Sequence, residues 1–270
     1  MIGAVCFGLR TIKGGMIPPA HGHLLHAALF DYFRRRSPEL SAQLHDGMNL
    51  KPFTVAMLEL PPVASRGKNR VVLREGDRAA WRVTALNEIV LRVLLDAEFG
   101  EELRVGDLRL AVERVSADSD ERPDIGIADE EEHVAHCLSV PRVEEIFFEF
   151  LSPVSFRSYD MDYPYPLPEL IFASLADKWN AAGMPGSVDR ERIRAIAATL
   201  PAVAWKGETK RLFFGRGRGV VGFRGEFTYR TAHLDAEDQR VLLLLAQFAN
   251  FSGVGRLTGQ GLGQTRTRYK

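Results

Sequence analysis

Apolar residues recur along this chain at two spacings, and the switches between them outline two similar halves. Val5, Phe7 and Leu9 alternate with smaller neighbours and predict a first strand. Leu24, Leu25, Ala28, Leu29, Tyr32 and Phe33 fall at helical spacing, predicting a helix over residues 22–35. Ser37 and Pro38 supply a cap and a first-turn proline for a second short helix running to about His45. Residues 53–60, rich in Thr, Val and Leu, read as a strand. Residues 70–73 and 80–84 flank the turn Glu75-Gly76-Asp77 and read as another strand or hairpin. Residues 86–99 form an amphipathic helix expected to bury Ile89, Val90, Val93, Leu94 and Ala97, and residues 108–115 close the set as a strand.

Strand signals resume at residues 143–150. Pro164, Pro166 and Pro168 mark an extended approach to a helix over 169–181, and Ser187 and Asp189 offer caps for another over 189–199. Residues 212–214 and 220–229 read as paired strands. A helix over 236–251 follows, with Val241, Leu244, Leu245 and Phe248 in register, and a last strand spans 262–269. Each half therefore reads as a βαββαβ unit, the second with an inserted helix. The expectation is an α+β chain with two tandem ferredoxin-like domains and antiparallel sheets, over residues 1–120 and 140–270. Residues 121–139 are the expected acidic linker or edge loop.

Composition narrows the class. A chain of 270 residues with 46% hydrophobic content has enough apolar surface for one large or two medium domains. No apolar run approaches the roughly 20 residues of a membrane helix, so no membrane partner is expected. The opening residues lack the basic and apolar regions of a secretory signal. Cys6 and Cys137 are too few for a metal cluster and need no disulfide. These features suit a cytoplasmic protein.

The formal net charge is zero, but its distribution is uneven. Residues 118–132 hold eight acids against Arg122 alone, whereas residues 206–270 hold twelve lysines and arginines against five acids. A basic half of this kind suits a phosphate backbone. Glycines add to that picture. Gly253, Gly255, Gly259, Gly261 and Gly263 are interleaved with Arg256, Arg266, Arg268 and Lys270. Glycine lets a backbone press close to another backbone or to a phosphate. A dinucleotide fingerprint would need a following helix and a more distant acid, which the seven residues after Gly263 cannot supply. Arg216, Arg218 and Arg224 lie on or beside the expected hairpin, interleaved with Phe213, Phe214, Phe223 and Tyr229, which pack in the core or stack on bases. The RNA-binding candidates are accordingly Arg216, Arg218, Arg224, Gly253, Gly255, Arg256, Gly261, Gly263 and Arg266.

Four of the seven histidines, His21, His23, His26 and His45, fall within the first 45 residues. Histidine is the side chain best matched to proton transfer near neutral pH. A turn containing Gly47 separates His45 from Lys51, so both can face one cleft. Attack of an RNA 2′-hydroxyl on the adjacent phosphodiester needs a base, an acid and a cation to stabilise the charge that develops. His45 and Lys51 can serve, with His26 as a further catalytic candidate, and neither metal nor cofactor is required. A metal set built on His21, His23 and His26 lacks a carboxylate or cysteine at ligand spacing.

Several segments, in this order, are similar to a known family. Leu25-His26-Ala27-Ala28-Leu29, Ser37-Pro38-Glu39-Leu40, Leu44-His45-Asp46 and Lys51-Pro52-Phe53-Thr54 resemble the N-terminal signature of the CRISPR-associated Cas6 endoribonucleases. Phe148 to Pro153, Leu167-Pro168-Glu169, Trp179-Asn180 and Gly222-Phe223-Arg224-Gly225 resemble its second-domain pattern. Residues 253–263 resemble the glycine-rich loop of that superfamily. The resemblance implies two RNA-recognition-motif-like domains and metal-independent cleavage of CRISPR precursor RNA within its repeats. The expected products carry a cyclic or open phosphate on the 3′ side and a 5′-hydroxyl. By position His45 matches the family's catalytic histidine and Lys51 the assisting lysine of some members. Phe30 stands where some members carry a tyrosine, leaving His26 or Tyr32 to substitute. The implied partners are repeat RNA, other CRISPR effector subunits and a second copy of the chain. A non-catalytic or weakly catalytic repeat-RNA-binding subunit is the alternative.

Overall fold

Strand β1 (Ile2–Lys13) turns Val5, Phe7 and Leu9 inward, as its alternation requires, and becomes the central strand of a sheet. The computed structural model describes residues 1–45, 50–60, 65–67, 70–158, 160–214 and 219–270. The chain divides into two units, the first comprising residues 1–127, 213–218 and 259–261 and the second the remainder.

In the first unit β1 is followed by β2 (Gly15–Ile17), α1 (Gly22–Arg36), α2 (Pro38–His45), β3 (Phe53–Val55), β4 (Ser65–Gly67), β5 (Arg70–Leu73) and β6 (Arg78–Ala85). Then come α3 (Glu88–Leu95), β7 (Glu102–Val105), β8 (Leu108–Ser116) and β9 (Gly126–Ala128). The main sheet runs β3-β6-β1-β8-β7, with β9 also on β1, and the paired strands are antiparallel from β3 through β7. With β3, β6, β1 and β8 as strands two, three, one and four, this is the ferredoxin-like order, with β7 appended. Leu25, Leu29, Tyr32 and Phe33 of α1 pack with Val90, Leu91 and Leu94 of α3 in one core with Phe7, Trp81 and Val83.

Two local expectations are corrected here. Residues 70–73 and 80–84 are not a hairpin: β5 pairs with β2 and β4, while β6 pairs with β1 and β3. The turn between them is held by Asp77, whose carboxylate accepts from the Arg74 N–H at 2.8 Å. The buried face of α3 is Val90, Leu91 and Leu94, whereas Ile89 is 59% exposed. Asn87 caps the helix by accepting from the Val90 N–H, and that fixes which side turns inward.

The acidic stretch is also more structured than expected, for it contains β9 and α4 (Glu130–Ser139). Asp129 accepts from the N–H groups of Glu131 and Glu132, and Glu130, Glu131 and Glu132 fill the first turn. Carboxylates at a helix N-terminus are favoured by its macrodipole, so the charge that reads as a linker starts a helix.

The second unit continues with β10 (Glu145–Val154), β11 (Phe156–Ser158), β12 (Met161–Tyr163), α5 (Pro168–Ala181), α6 (Arg190–Ala197), β13 (Ala202–Phe213), β14 (Gly219–Arg230), α7 (Ala236–Ser252) and β15 (Thr265–Tyr269). Its sheet order, β13-β14-β10-β15, repeats the ferredoxin-like order, with α6 as the inserted helix. Trp179 of α5 and Phe248 of α7 meet edge to face, their ring centroids 5.2 Å apart, in the core over Phe148 and Phe150. Strand β13 begins ten residues before the expected start at Leu212. Ala202 through Thr209 are all exposed, so this edge strand carries no inward alternation to reveal it.

Candidate functional site

Within the first unit, His26 and Phe30 lie four residues apart on α1, hence on one face of the helix. Helix α2 ends at His45, and the Ser37 hydroxyl near its start accepts from the Leu40 N–H at 3.4 Å. The Phe30 ring lies between two imidazoles, with centroids 4.8 Å from His26 and 4.9 Å from His45. Phe53, at the start of β3, closes the cluster 5.7 Å from His26. The Lys51 ammonium donates to the carbonyl of Leu44, the residue before His45. Two sequence-expected catalytic residues, His26 and His45, thus pack on one phenylalanine, and Lys51 is held on the carbonyl that precedes His45. Gly47 lies outside the described residues.

His26 is half-buried, and its Nδ1 lies 2.8 Å from the carbonyl oxygen of Gly259. Burial pulls its pKa below the ordinary histidine value. The Gly259 bond opposes that shift, and the positive charges of Lys51 and His45 add to it. His45 is exposed. Tyr32 does not take the place of a catalytic tyrosine: it is fully buried, its hydroxyl donates to the Val93 carbonyl at 2.6 Å, and burial raises its pKa. Two residues beyond Phe30, it projects from another side of α1. His21 and His23 also diverge from the site. His21 Nδ1 donates to Pro18 O and its Nε2 accepts from the Leu58 N–H, while His23 lies edge to face against Phe214.

The glycine-rich segment is shaped by backbone contacts. Gly253, Gly255, Gly261 and Gly263 all have positive φ and are buried. A Cβ on Gly255 would lie 2.5 Å from the Ser155 carbonyl oxygen, and one on Gly263 only 1.9 Å from that of Val254. Both contacts lie in the second unit, so there the missing side chains make room for the chain's own backbone. In the first unit Gly22 plays the same part, its virtual Cβ falling 1.8 Å from the Gln260 carbonyl oxygen.

A lysine missed from the sequence anchors this segment. Lys178 of α5 is 5% exposed, and its Nζ donates to the carbonyls of Ser252 and Gly253 at 3.0 and 2.9 Å and lies 3.4 Å from Thr258 Oγ1. A neutral amine has two protons and one lone pair for these three neighbours. Burial lowers the Lys178 pKa from 10.5 to about 7. Between those values the unfolded chain binds the extra proton, so Lys178 adds stability as pH rises through the window and adds no more above it. In Lys178→Met, urea midpoints should lose that rise between pH about 7 and 10.5 and fall overall, because two carbonyls lose their donor, at a cost of about 1–3 kcal/mol. An unchanged pH slope in the variant would refute the assignment. The hydropathy pattern hid Lys178, which occupies an inward position of α5 beside Trp179.

The basic candidates differ in their surroundings. Arg224 is exposed on β14. Arg256 forms an ion pair with Asp162 at 2.5 Å, and Arg266 a looser one with Glu149 at 3.4 Å. Arg216 and Arg218 lie outside the described residues. Among the aromatics, Phe223 and Tyr229 are buried and Phe213 is 57% exposed. Sequence reasoning missed Trp205, 67% exposed on β13 and stacked on Phe227 with 17° between the rings. Its signal was a tryptophan in a stretch with no inward alternation.

Comparison with known proteins extends these observations. Residues 148–265 match the model of the CRISPR-associated endoribonuclease Cas6 family. A Mycobacterium tuberculosis protein described as CRISPR-associated endoribonuclease Cas6 is 28% identical over 128 residues, 47% of this chain. That alignment spans 40% of the relative's own length. Among solved structures, the Thermus thermophilus Cas6 TTHB231 in a product complex superposes with a TM-score of 0.79 at 29% identity, covering 99% of this chain and all of that one. A second Cas6 product complex, of TTHA0078, gives 0.74 at 26% identity over the whole of this chain and 99% of the other. The chain is thus similar to Cas6 endoribonucleases, in its second half by the family model and along its whole length by structure. The match to the family model takes in Lys178, Trp205, Arg224 and the whole glycine segment, but begins well after His26, His45 and Lys51. Those three fall within the whole-chain similarity to the Cas6 structures.

Proposed function

We propose that this protein is a Cas6-type endoribonuclease that cuts CRISPR precursor RNA within its repeats. The 2′-hydroxyl attacks the adjacent phosphate, leaving a 2′,3′-cyclic phosphate and a 5′-hydroxyl. The observation that carries this reading is the pairing at the end of α2, where the Lys51 ammonium is fixed on the carbonyl next to His45. An imidazole moves protons near neutral pH, and a cation held beside it stabilises the dianionic phosphorane-like state. In this reading one histidine supplies a proton-transfer group and the lysine the stabilising cation, and no metal ion is called for. Repeat RNA is the proposed substrate, with exposed Arg224 and Trp205 supplying backbone and stacking contacts in the second unit.

The test uses the repeat RNA of the accompanying CRISPR array. Cleavage should persist in excess EDTA and cease when a 2′-deoxy nucleotide stands on the 5′ side of the scissile phosphate. Cutting of the deoxy substrate, or activity that EDTA removes and a divalent ion restores, would refute the mechanism. Tight binding without product after prolonged incubation would instead identify a non-catalytic RNA-binding subunit.

A further inference from the structure

We infer that the outer face of the first unit's main sheet is a binding track for single-stranded RNA flanking the cut, its arginine rows taking phosphates and a groove beside them taking one base. The inference rests on the repeat-RNA reading above and deepens it, adding a basic surface outside residues 206–270. Val5, Phe7 and Leu9 of β1 point into the core, so Gly8 and Arg10 point to the opposite face. Residues paired across antiparallel strands share a face. Arg10 therefore stands directly opposite Arg78 of β6, and Arg109 of β8 stands between Lys13 of β1 and Arg104 of β7. Like charges placed this way destabilise a sheet. Arg78 is compensated by Glu113 at 2.8 Å and Arg109 by Glu102 at 3.7 Å. Arg10, Lys13 and Arg104 are exposed and make no ion pair with a described residue. A polyanion lying along these rows turns their repulsion into binding. Two residues of a strand set neighbouring rows about 7 Å apart, a step that one extended nucleotide covers.

The row next to Arg10 and Arg78 holds the groove, of about 470 Å³. Its floor is Gly8 paired with Ala80, so nothing larger than a methyl group stands between Arg114 at one end and Glu59 at the other. A Cβ on Gly8 would meet Arg114 Cγ at 2.9 Å, and the glycine thereby lets this arginine lie across β1, its guanidinium held by Glu121. Glu59 is held in turn by Arg122. A register shift leaves Glu113 as an extra residue of β8, and bulges of this kind re-aim side chains, here bringing Glu113 and Arg114 to the same groove. Guanidinium planes stack on unpaired bases, and carboxylates accept from base amino groups. The glutamates would repel a bare phosphate, so the groove suits a base and the arginine rows beside it suit the backbone.

The test measures Kd for repeat RNA made uncleavable by a 2′-deoxy nucleotide at the cut, either intact or trimmed to the nucleotides around the cut. Wild type would be compared between about 50 and 200 mM salt with the double variant Arg10→Gln/Arg104→Gln. Arg92→Gln serves as control, its arginine being exposed on α3 and paired with Glu88. The double variant should bind intact RNA roughly tenfold more weakly, and log Kd should lose about 0.7 of its slope against log salt for each phosphate contact removed. On trimmed RNA it should match wild type. Its urea midpoint should stay level or rise, because a like-charge pair is gone. Its single-turnover rate on ordinary RNA at saturating protein should be unchanged. Wild-type affinity of the double variant for intact RNA would overturn the track and leave this face to an acidic protein partner. Equal losses on intact and trimmed RNA, or an equal loss in Arg92→Gln, would reduce the effect to net charge and overturn it as well. A wild-type protein that shows the expected binding differences but never cuts ordinary RNA would overturn the nuclease reading and leave the track standing.

Discussion

Replacing His45 by alanine should slow cleavage of the ordinary repeat RNA by about 10²–10⁴-fold, the usual worth of a positioned proton-transfer group. Repeat-RNA affinity should change little. His45 is exposed at the last position of α2, and the apolar residues that hold this helix are Leu40 and Leu44, which the substitution leaves in place. The loss should therefore fall on the single-turnover rate rather than on Kd. A rate within threefold of wild type would remove His45 from the chemistry, and a parallel loss of RNA affinity would make it a binding residue. Lys51 makes a useful comparison. In Lys51→Met the bond to the Leu44 carbonyl and the positive charge disappear together, so part of its effect would be structural.

The largest stability effect is expected at Gly263. Its φ of +64° is a left-handed conformation that costs a side-chain-bearing residue about 1–2 kcal/mol. In addition, a Cβ there would lie 1.9 Å from the Val254 carbonyl oxygen, a backbone atom that cannot rotate away. Val254 also donates its N–H to the Gly263 carbonyl at 2.9 Å, so relieving the clash disturbs that bond as well. Gly263→Ala should thus destabilise the second unit by more than about 4 kcal/mol, in the range reserved for steric and backbone failures. Gly183 provides the control in the same unit, with φ of +68° and nothing within 4 Å of its virtual Cβ. Gly183→Ala should cost only that conformational term, about 1–2 kcal/mol. Equal urea midpoints for the two variants would show that the backbone contact at Gly263 carries no strain.

Both predictions concern residues visible in the sequence, but for different reasons. His45 stands out because histidine, proline-capped helix and nearby lysine occur together within a few residues. Gly263 stands out as part of a repeat of glycines, yet the pattern alone left open whether backbone or phosphate approaches it. The structure shows backbone at Gly253, Gly255 and Gly263 in the second unit. Helices α1, α5 and α7 were legible within a residue or two, since each carries a sustained apolar stripe and a clear start. Strand β13 was not, because an edge strand is held by backbone pairing and leaves no side-chain pattern. The acidic stretch misled for another reason: its carboxylates cap and charge the start of α4.

By itself the sequence determined the two βαββαβ halves and the residue types available for chemistry. Periodicity and capping act between near neighbours, and a linear string records them fully. Tertiary structure decided the state and surroundings of those residues. It set the Gly259 carbonyl against Nδ1 of His26, 233 positions away. It also buried Tyr32 and left His45 exposed, though the two lie in consecutive helices. Burial and hydrogen bonding across long sequence separations control protonation, and neither follows from spacing along the chain.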